Sequence, residues 1–202
     1  YDGFEFHRME FPEKQTRGNL NALFCDRKGT MWVGLTDGSL FTWSVGGTLT
    51  NIALPESDRI NRITEGPDGK IWIVTQTNGI YLADAGGGDK TTRLSMPDGY
   101  VVFDISFDGA GTIMAATQDN LRLCTLSGDK LVEKTSFPEL EYTTVHTISR
   151  MDDDTWFAGT DYAGLFIIRR VNGILGATSV ADTLFMNMRI PALITGDDRS
   201  LI

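Results

Sequence analysis

The sequence predicts an all-β fold built from repeated four-stranded units. A segment of about 40 residues recurs along the chain, and no segment keeps the 3.6-residue apolar period of an amphipathic helix. Of the 202 residues, 41% are hydrophobic and 22% are charged, which is typical of a globular chain with its own core. We therefore expect short strands, many turns and almost no helix.

The repeats can be aligned on one apolar position. Trp32, Trp72, Met114 and Trp156 occupy this anchor position, at spacings of 40, 42 and 42 residues. A proline followed by an acidic residue recurs with nearly the same period, as in Pro55-Glu56. Markers that stay in phase predict repeats at residues 10–53, 54–95, 96–136 and 137–185, with a fifth repeat divided between residues 1–9 and 190–202.

Each repeat reads as four short strands, which we call A to D. In the second repeat the predicted strands are residues 60–64, 71–75, 80–84 and 91–94, separated by Gly/Asp turns. Units of four strands in about 40–45 residues are typical of a β-propeller blade. The sequence therefore predicts one β-propeller domain, or a fragment of one, over residues 1–202.

The two half repeats at the ends leave two arrangements open. The halves join and close a five-bladed ring, in which case residues 4–9 pair with the C-terminal hairpin of the same molecule. Alternatively, the chain is an arc of a larger propeller, and its two ends lie far apart.

One blade carries a motif that points to a family. Asn21, Gly29 and Trp32-Val33-Gly34 stand in "LNALFCDRKGTMWVGLTDGSL", and "YDGFEF" opens the chain at Tyr1. Both stretches resemble the two-component regulator propeller repeat. The sequence departs from that pattern where Val74 and Ala116 replace a glycine of strand B and where Met114 replaces a tryptophan.

The resemblance implies a function. In that family the propellers form the periplasmic sensor region of hybrid two-component histidine kinases. It implies recognition of a glycan fragment or another small ligand, and a longer parent chain with further propeller and kinase domains. A homodimer is one possible assembly. The family rings have seven blades, which favours the arc.

The composition argues against several other functions. The net charge of −9 disfavours a phosphate-backbone partner, so we expect no nucleic-acid binding. No apolar run approaches the ~18 residues of a membrane span, so we expect no membrane contact from this segment. We expect no metal and no cofactor, because the chain has two histidines and no Cys-x-x-Cys motif.

The predicted ligand site lies on the face that carries the B–C and D–A loops, which we call the mouth face. Sugar sites combine aromatic faces with planar polar groups, and these loops offer both. The candidate residues are Arg17, Asp37, Arg59, Asn78, Tyr100, Asp119, Tyr142, Asp161 and Tyr162.

Two alternatives to a sensor remain open. A propeller enzyme, either a lyase or a glycoside-active protein, would place His146 beside two carboxylates or a metal in the mouth. We expect His146 instead to bond a neighbouring loop, and we expect the chain itself not to be an enzyme. A protein-interaction scaffold would show an exposed apolar patch.

Acidic turns and cysteines have structural interpretations. Aspartates in the A–B turns, such as Asp152 and Asp153, are predicted to form Asx turns rather than a calcium site. Cys25 and Cys124 stand in apolar runs and are predicted to be buried free thiols.

Overall fold

The computed structural model describes residues 18–56, 58–88, 90–96, 100–109, 111–181, 185 and 187–194. Within these ranges the fold is all-β, as predicted, with sixteen strands and one short 3-10 helix at Pro138–Leu140. None of the described helices could span a bilayer.

The strands form four antiparallel sheets of four consecutive strands each, and we call these sheets blades 1 to 4. Blade 1 contains β1 (Leu20–Cys25), β2 (Met31–Leu35), β3 (Leu40–Trp43) and β4 (Leu49–Ile52). Blade 2 contains β5 (Ile60–Glu65), β6 (Lys70–Thr75), β7 (Ile80–Asp84) and β8 (Thr91–Arg93). Blade 3 contains β9 (Val102–Phe107), β10 (Thr112–Thr117), β11 (Leu121–Ser127) and β12 (Lys130–Ser136). Blade 4 contains β13 (Val145–Arg150), β14 (Thr155–Thr160), β15 (Leu165–Val171) and β16 (Ile174–Ser179).

The blades pack face to face in chain order. Their first strands, β1, β5, β9 and β13, contact one another in succession, and we call these the inner strands. Three apolar clusters fill the interfaces between blades 1 and 2, blades 2 and 3, and blades 3 and 4. Alternating side chains supply these clusters because the two faces of each blade meet different neighbours.

The predicted anchor residue occupies the same register of the second strand in blades 1, 2 and 3, as the alignment of the repeats predicts. In blade 4 the prediction is wrong. Trp32 and Trp72 are buried against the following blade. Trp156 pairs with Arg150, and the equivalent pair in blade 2 is Ile71 with Glu65. Trp156 is therefore one residue out of register with Trp72, and its side chain faces the preceding blade. A shift of one residue exchanges the two faces of a strand.

Trp156 thus shares its interface with Met114, the anchor residue of blade 3. The two side chains approach the same cluster from opposite blades. Because Met114 is smaller than a tryptophan, the side chain of Trp156 supplies the missing volume in this interface. The residue of blade 4 that occupies the anchor register is Phe157.

A close backbone approach repeats between blades. A Cβ atom on Gly34 would lie 2.5 Å from Ile60 Cγ2, and one on Gly159 would lie 2.7 Å from Ile190 Cγ2. Ile190 therefore packs against the second strand of blade 4 in the same way as Ile60 packs against the second strand of blade 1. The predicted pairing of the two chain ends involves residues 1–9 and 190–202, of which residues 1–9 and 195–202 lie outside the described residues.

The cysteine prediction is half wrong. Cys124 is buried, and this burial raises the pKa of its thiol to about 11. Cys25 is exposed. Its neighbour Phe24 packs on the cluster between blades 1 and 2, so the alternation of the strand turns Cys25 to the other side.

Candidate functional site

A β-bulge recurs at the start of every inner strand. In β1 the pairing with β2 jumps from Leu20 to Ala22, and the residue between them has no partner. The same shift occurs in the other three blades. A bulge re-aims the side chain of its extra residue. The four residues concerned are Asn21, Asn61, Phe103 and His146.

These four side chains link consecutive blades. Asn21 Nδ2 donates to the carbonyl oxygen of Ile60 at 2.7 Å, and Asn61 Nδ2 donates to that of Val102 at 3.3 Å. The rings of Phe103 and His146 lie 4.7 Å apart between centroids, tilted by 53°. The bulge residues therefore form a continuous row across the inner strands.

The row lines a cavity of about 330 Å³ on the mouth face, which we call the axial cavity. Loop residues complete its wall. Its lining residues are Asn21, Arg59, Asn61, Gln76, Phe103, His146, Arg189 and Pro191. Six of the eight carry hydrogen-bonding side chains, which suits a polar ligand with ring hydroxyls.

Two arginines enter the cavity from equivalent positions. Arg59 precedes Ile60, and its Nη2 donates to Asn21 Oδ1 at 2.7 Å. Arg189 precedes Ile190, and its Nη2 lies 3.4 Å from His146 Nε2. Each guanidinium thus contacts the bulge residue of the preceding blade.

The imidazole of His146 contacts a carboxylate in this site. Its Nε2 lies 3.1 Å from Asp161 Oδ2, in the loop between β14 and β15, and its side chain is mostly buried. Asp161 Oδ1 also pairs with Arg189 Nε at 3.1 Å. His146 therefore bonds a neighbouring loop, as predicted. Within the described residues it has one carboxylate beside it, not two.

The structure brings only some of the predicted candidates to this cavity. Arg59 lines it, and Asp161 holds two of its lining residues. Three others lie around Arg122, outside the axial cavity. The Arg122 guanidinium lies 4.4 Å from the ring centroid of Tyr100 and pairs with Asp119 at 2.7 Å. Tyr142 lines a cavity of about 350 Å³ beside them.

The remaining predicted site residues that the structure describes line neither cavity. Asp37 accepts backbone bonds from Gly18 at 2.8 Å and Ser39 at 3.0 Å. The backbone N–H of Asn78 donates to Asp58 at 2.9 Å. Tyr162 is exposed and has a φ of 64°. Arg17 lies outside the described residues.

Sequence reasoning missed most of the cavity wall. The missed residues are Asn21, Asn61, Gln76, Phe103, Arg189 and Pro191. One signal was available, because the bulge residues share the second position of strand A in the aligned repeats. The bulges that direct these side chains into the cavity cannot be recognised from the pattern of apolar residues in the sequence.

A second cavity, of about 340 Å³, lies at the other end of the inner strands. Its arginines have carboxylate partners: Arg27 pairs with Glu65 at 3.7 Å and Arg62 with Asp104 at 3.2 Å. Burial raises the pKa of Asp104, although Arg62 and three hydrogen bonds oppose that shift. At this end of the inner strands, Arg27 and Arg62 are therefore neutralised by carboxylates of the protein itself.

Solved structures with a similar fold include a lyase and extracellular domains of two-component systems. Virginiamycin B lyase from Staphylococcus aureus matches with a TM-score of 0.72 and 18% identity, over 93% of this chain and 64% of the lyase chain. The extracellular domain of the hybrid two-component system BT4673 from B. thetaiotaomicron matches with a TM-score of 0.70 and 19% identity, over 95% of this chain and 27% of that one. The corresponding domain of BT3049 gives a TM-score of 0.71 and 13% identity, over 96% and 28%.

The chain thus spans less than two thirds of the length of each of these proteins. No protein-family model matches the sequence, and no curated protein matches it. At identities below 20% the likeness concerns the fold. It establishes that the four blades belong to a β-propeller.

Proposed function

We propose that this chain is a ligand-sensing propeller segment of a two-component signalling receptor and that a glycan fragment binds in its axial cavity. The single observation that supports this best is the row of bulge residues, which places two amides, an imidazole and a phenyl ring side by side. The extracellular domains of two-component systems among the similar folds agree with it.

The cavity chemistry suits a sugar. Amide groups of Asn61 and Gln76 both donate and accept hydrogen bonds, as hydroxyl groups require. The ring of Phe103 offers an apolar face beside them. A saccharide presents hydroxyl edges and C–H faces, so both kinds of group find partners.

The signal would pass to other parts of a longer protein. In this proposal the chain lies in the periplasm, and further propeller and kinase domains of the parent chain respond to it. Glycan binding would shift the relative positions of propellers or of two protomers and thereby bias a histidine kinase. Such a shift requires different glycan affinities for the two states.

Calorimetric titration of the chain with a panel of neutral and acidic oligosaccharides tests the binding step. At least one sugar should bind, and Phe103→Ala should abolish its heat signal. Tyr162→Ala is the matched control, because Tyr162 is an exposed aromatic residue of the mouth face outside the cavity. Absence of binding by every sugar would overturn the proposed ligand class.

The contact between His146 and Asp161 supports a second candidate, a propeller lyase. An imidazole held by a carboxylate can act as a general base, and the neighbouring Arg189 could stabilise a developing negative charge. Mass spectrometry of oligosaccharides incubated with the chain distinguishes the two functions. A lyase would cleave its substrate and lose this activity in His146→Ala, whereas a sensor would return the sugar intact.

A further inference from the structure

We propose that the axial cavity selects acidic oligosaccharides and that Arg59 and Arg189 bind the carboxylate or sulfate group of the sugar. This inference rests on the proposed function and specifies its ligand class. It follows from the positions of the two arginines, from the lack of an ion pair on the Arg59 guanidinium within the described residues, and from the net charge of the chain.

The arginines occur at only two of five equivalent positions, and the residue at this position in blade 1 is Asn19. The residue before each inner strand is Arg59 in blade 2, Val101 in blade 3 and Thr144 in blade 4. Arg189 precedes Ile190, which repeats the position of Ile60. Both guanidinium groups therefore approach the row of bulge residues from the mouth, and the two intervening positions carry no charge.

These guanidinium groups are held in place but only partly neutralised. Arg59 is oriented by the neutral Asn21 and forms no ion pair within the described part of the chain. Arg189 shares one carboxylate, Asp161, with His146, and its side chain is 58% exposed. The arginines of the opposite cavity have carboxylate partners of their own, so the two ends of the inner strands differ.

The charge of the chain makes this arrangement selective. The net charge is −9, so an anion is repelled by most of the surface. A cavity that carries two guanidinium groups is a local exception, and its walls concentrate the positive potential. Guanidinium binds carboxylate and sulfate oxygens through paired hydrogen bonds, which a neutral hydroxyl cannot match.

The test is a calorimetric titration of the chain with three sugars of similar size: a trigalacturonate, a sulfated disaccharide and a neutral galactotriose. One of the acidic sugars should bind at least about ten-fold more tightly than the neutral sugar, since a hydrogen bond to a charged group contributes about that much. The stronger of the two acidic sugars identifies the anionic group. Raising NaCl from about 0.05 to about 0.5 M should weaken acidic binding and leave neutral binding unchanged.

Variants assign the effect to the arginines. Arg59→Gln and Arg189→Gln should each weaken acidic binding about ten-fold and weaken neutral binding by a smaller factor, because glutamine can still bond a hydroxyl group but carries no charge. Arg93→Gln is the matched control, because Arg93 is a surface arginine of β8 that pairs with Glu56. Thermal unfolding checks that each variant folds, and the salt titration of the unchanged chain tests the inference if one does not.

The outcomes separate the two proposals. Neutral binding as tight as acidic binding, or acidic binding that ignores salt, overturns this inference and leaves the sensor proposal standing. Binding of no sugar overturns both. Equal losses in Arg93→Gln and Arg59→Gln would show that the acidic sugar binds elsewhere and would also overturn the inference.

Discussion

The indole nitrogen of Trp32 donates to Asp26 Oδ2 at 2.9 Å, across the turn between β1 and β2. The same oxygen accepts the backbone N–H of Gly86 from blade 2, also at 2.9 Å. In blade 2 the place of Asp26 is taken by Gly66, and Trp72 Nε1 has no hydrogen-bond partner among the described residues. Two tryptophans at one repeat position therefore have different electrostatic surroundings.

This difference predicts unequal costs for the same substitution. Trp32→Phe removes a buried hydrogen bond to a carboxylate as well as some volume, whereas Trp72→Phe removes volume and an indole N–H that has no partner among the described residues. We expect Trp32→Phe to lower the free energy of unfolding by about 1–2 kcal/mol more than Trp72→Phe does. Urea unfolding of the two variants measures this difference, and equal losses would contradict it.

Asp26→Asn should be strongly destabilising. An amide NH₂ in the place of Oδ2 would face two donors, Trp32 Nε1 and the Gly86 N–H. Leaving buried donors unsatisfied costs about 1–3 kcal/mol each, so we expect a loss of about 2–4 kcal/mol at neutral pH, measured by urea unfolding. Asp68→Asn is the control, because Asp68 accepts the exposed backbone N–H of Lys70 at 3.1 Å.

The same variant should change the pH dependence of stability. Burial alone would raise the pKa of Asp26, but hydrogen bonds from Trp32, Gly86, Thr30 and Lys28 together lower it below 3.8. The ionised carboxylate therefore stabilises the fold above about pH 4, and this stabilisation is lost as the pH falls through the lowered pKa. The stability difference between wild type and Asp26→Asn should shrink in acid. A difference that stays constant down to pH 2.5 would contradict the assignment.

Gly34→Ala tests the close packing of the first two blades. The added Cβ would lie 2.5 Å from Ile60 Cγ2 and 2.9 Å from Ile60 Cβ, so the inner strand must shift. We expect a loss of about 1–3 kcal/mol in thermal or urea unfolding. Gly176→Ala is the matched control in β16, because its Cβ would meet nothing within 4 Å. Similar losses in both variants would argue against the interblade contact.

Asp161→Ala should loosen the segment that carries Arg189. This variant removes the carboxylate that pairs with Arg189 Nε at 3.1 Å and leaves the backbone bond from Ile190 N to Thr160 O as the main tie. We expect faster amide exchange in residues 187–194, measured by hydrogen–deuterium exchange mass spectrometry. Asp119→Ala, in the same loop of blade 3, should leave that segment unchanged. An unchanged rate in Asp161→Ala would contradict the anchoring role.

Thiol labelling should distinguish the two cysteines. Cys25 is exposed, whereas Cys124 is buried with a pKa raised to about 11, so its reactive thiolate is scarce at pH 8. We expect a thiol reagent to modify one site per native chain and two sites after unfolding. Cys25→Ser should abolish the native reaction. Labelling of two sites in the native chain would contradict the structure.

Local sequence patterns predicted the strands and turns well. The predicted third strand of blade 2 coincides with β7 (Ile80–Asp84), and Asp26 and Asp68 form the expected turns by accepting backbone N–H bonds. These features depend on side chains a few residues apart, because strand alternation and turn formation are local properties. The same information failed at Trp156, where two adjacent aromatic residues fit either face of a strand.

The site depended on contacts that no local pattern records. Asn21 and Arg59 meet across 38 residues, and His146 and Arg189 across 43. Their meeting requires the bulges that turn the second residue of each inner strand toward the axis. The sequence alone therefore determined the repeat, its strands and its turns. The tertiary packing of one blade on the next decided which loop residues share a cavity, because those positions are set by distant backbone.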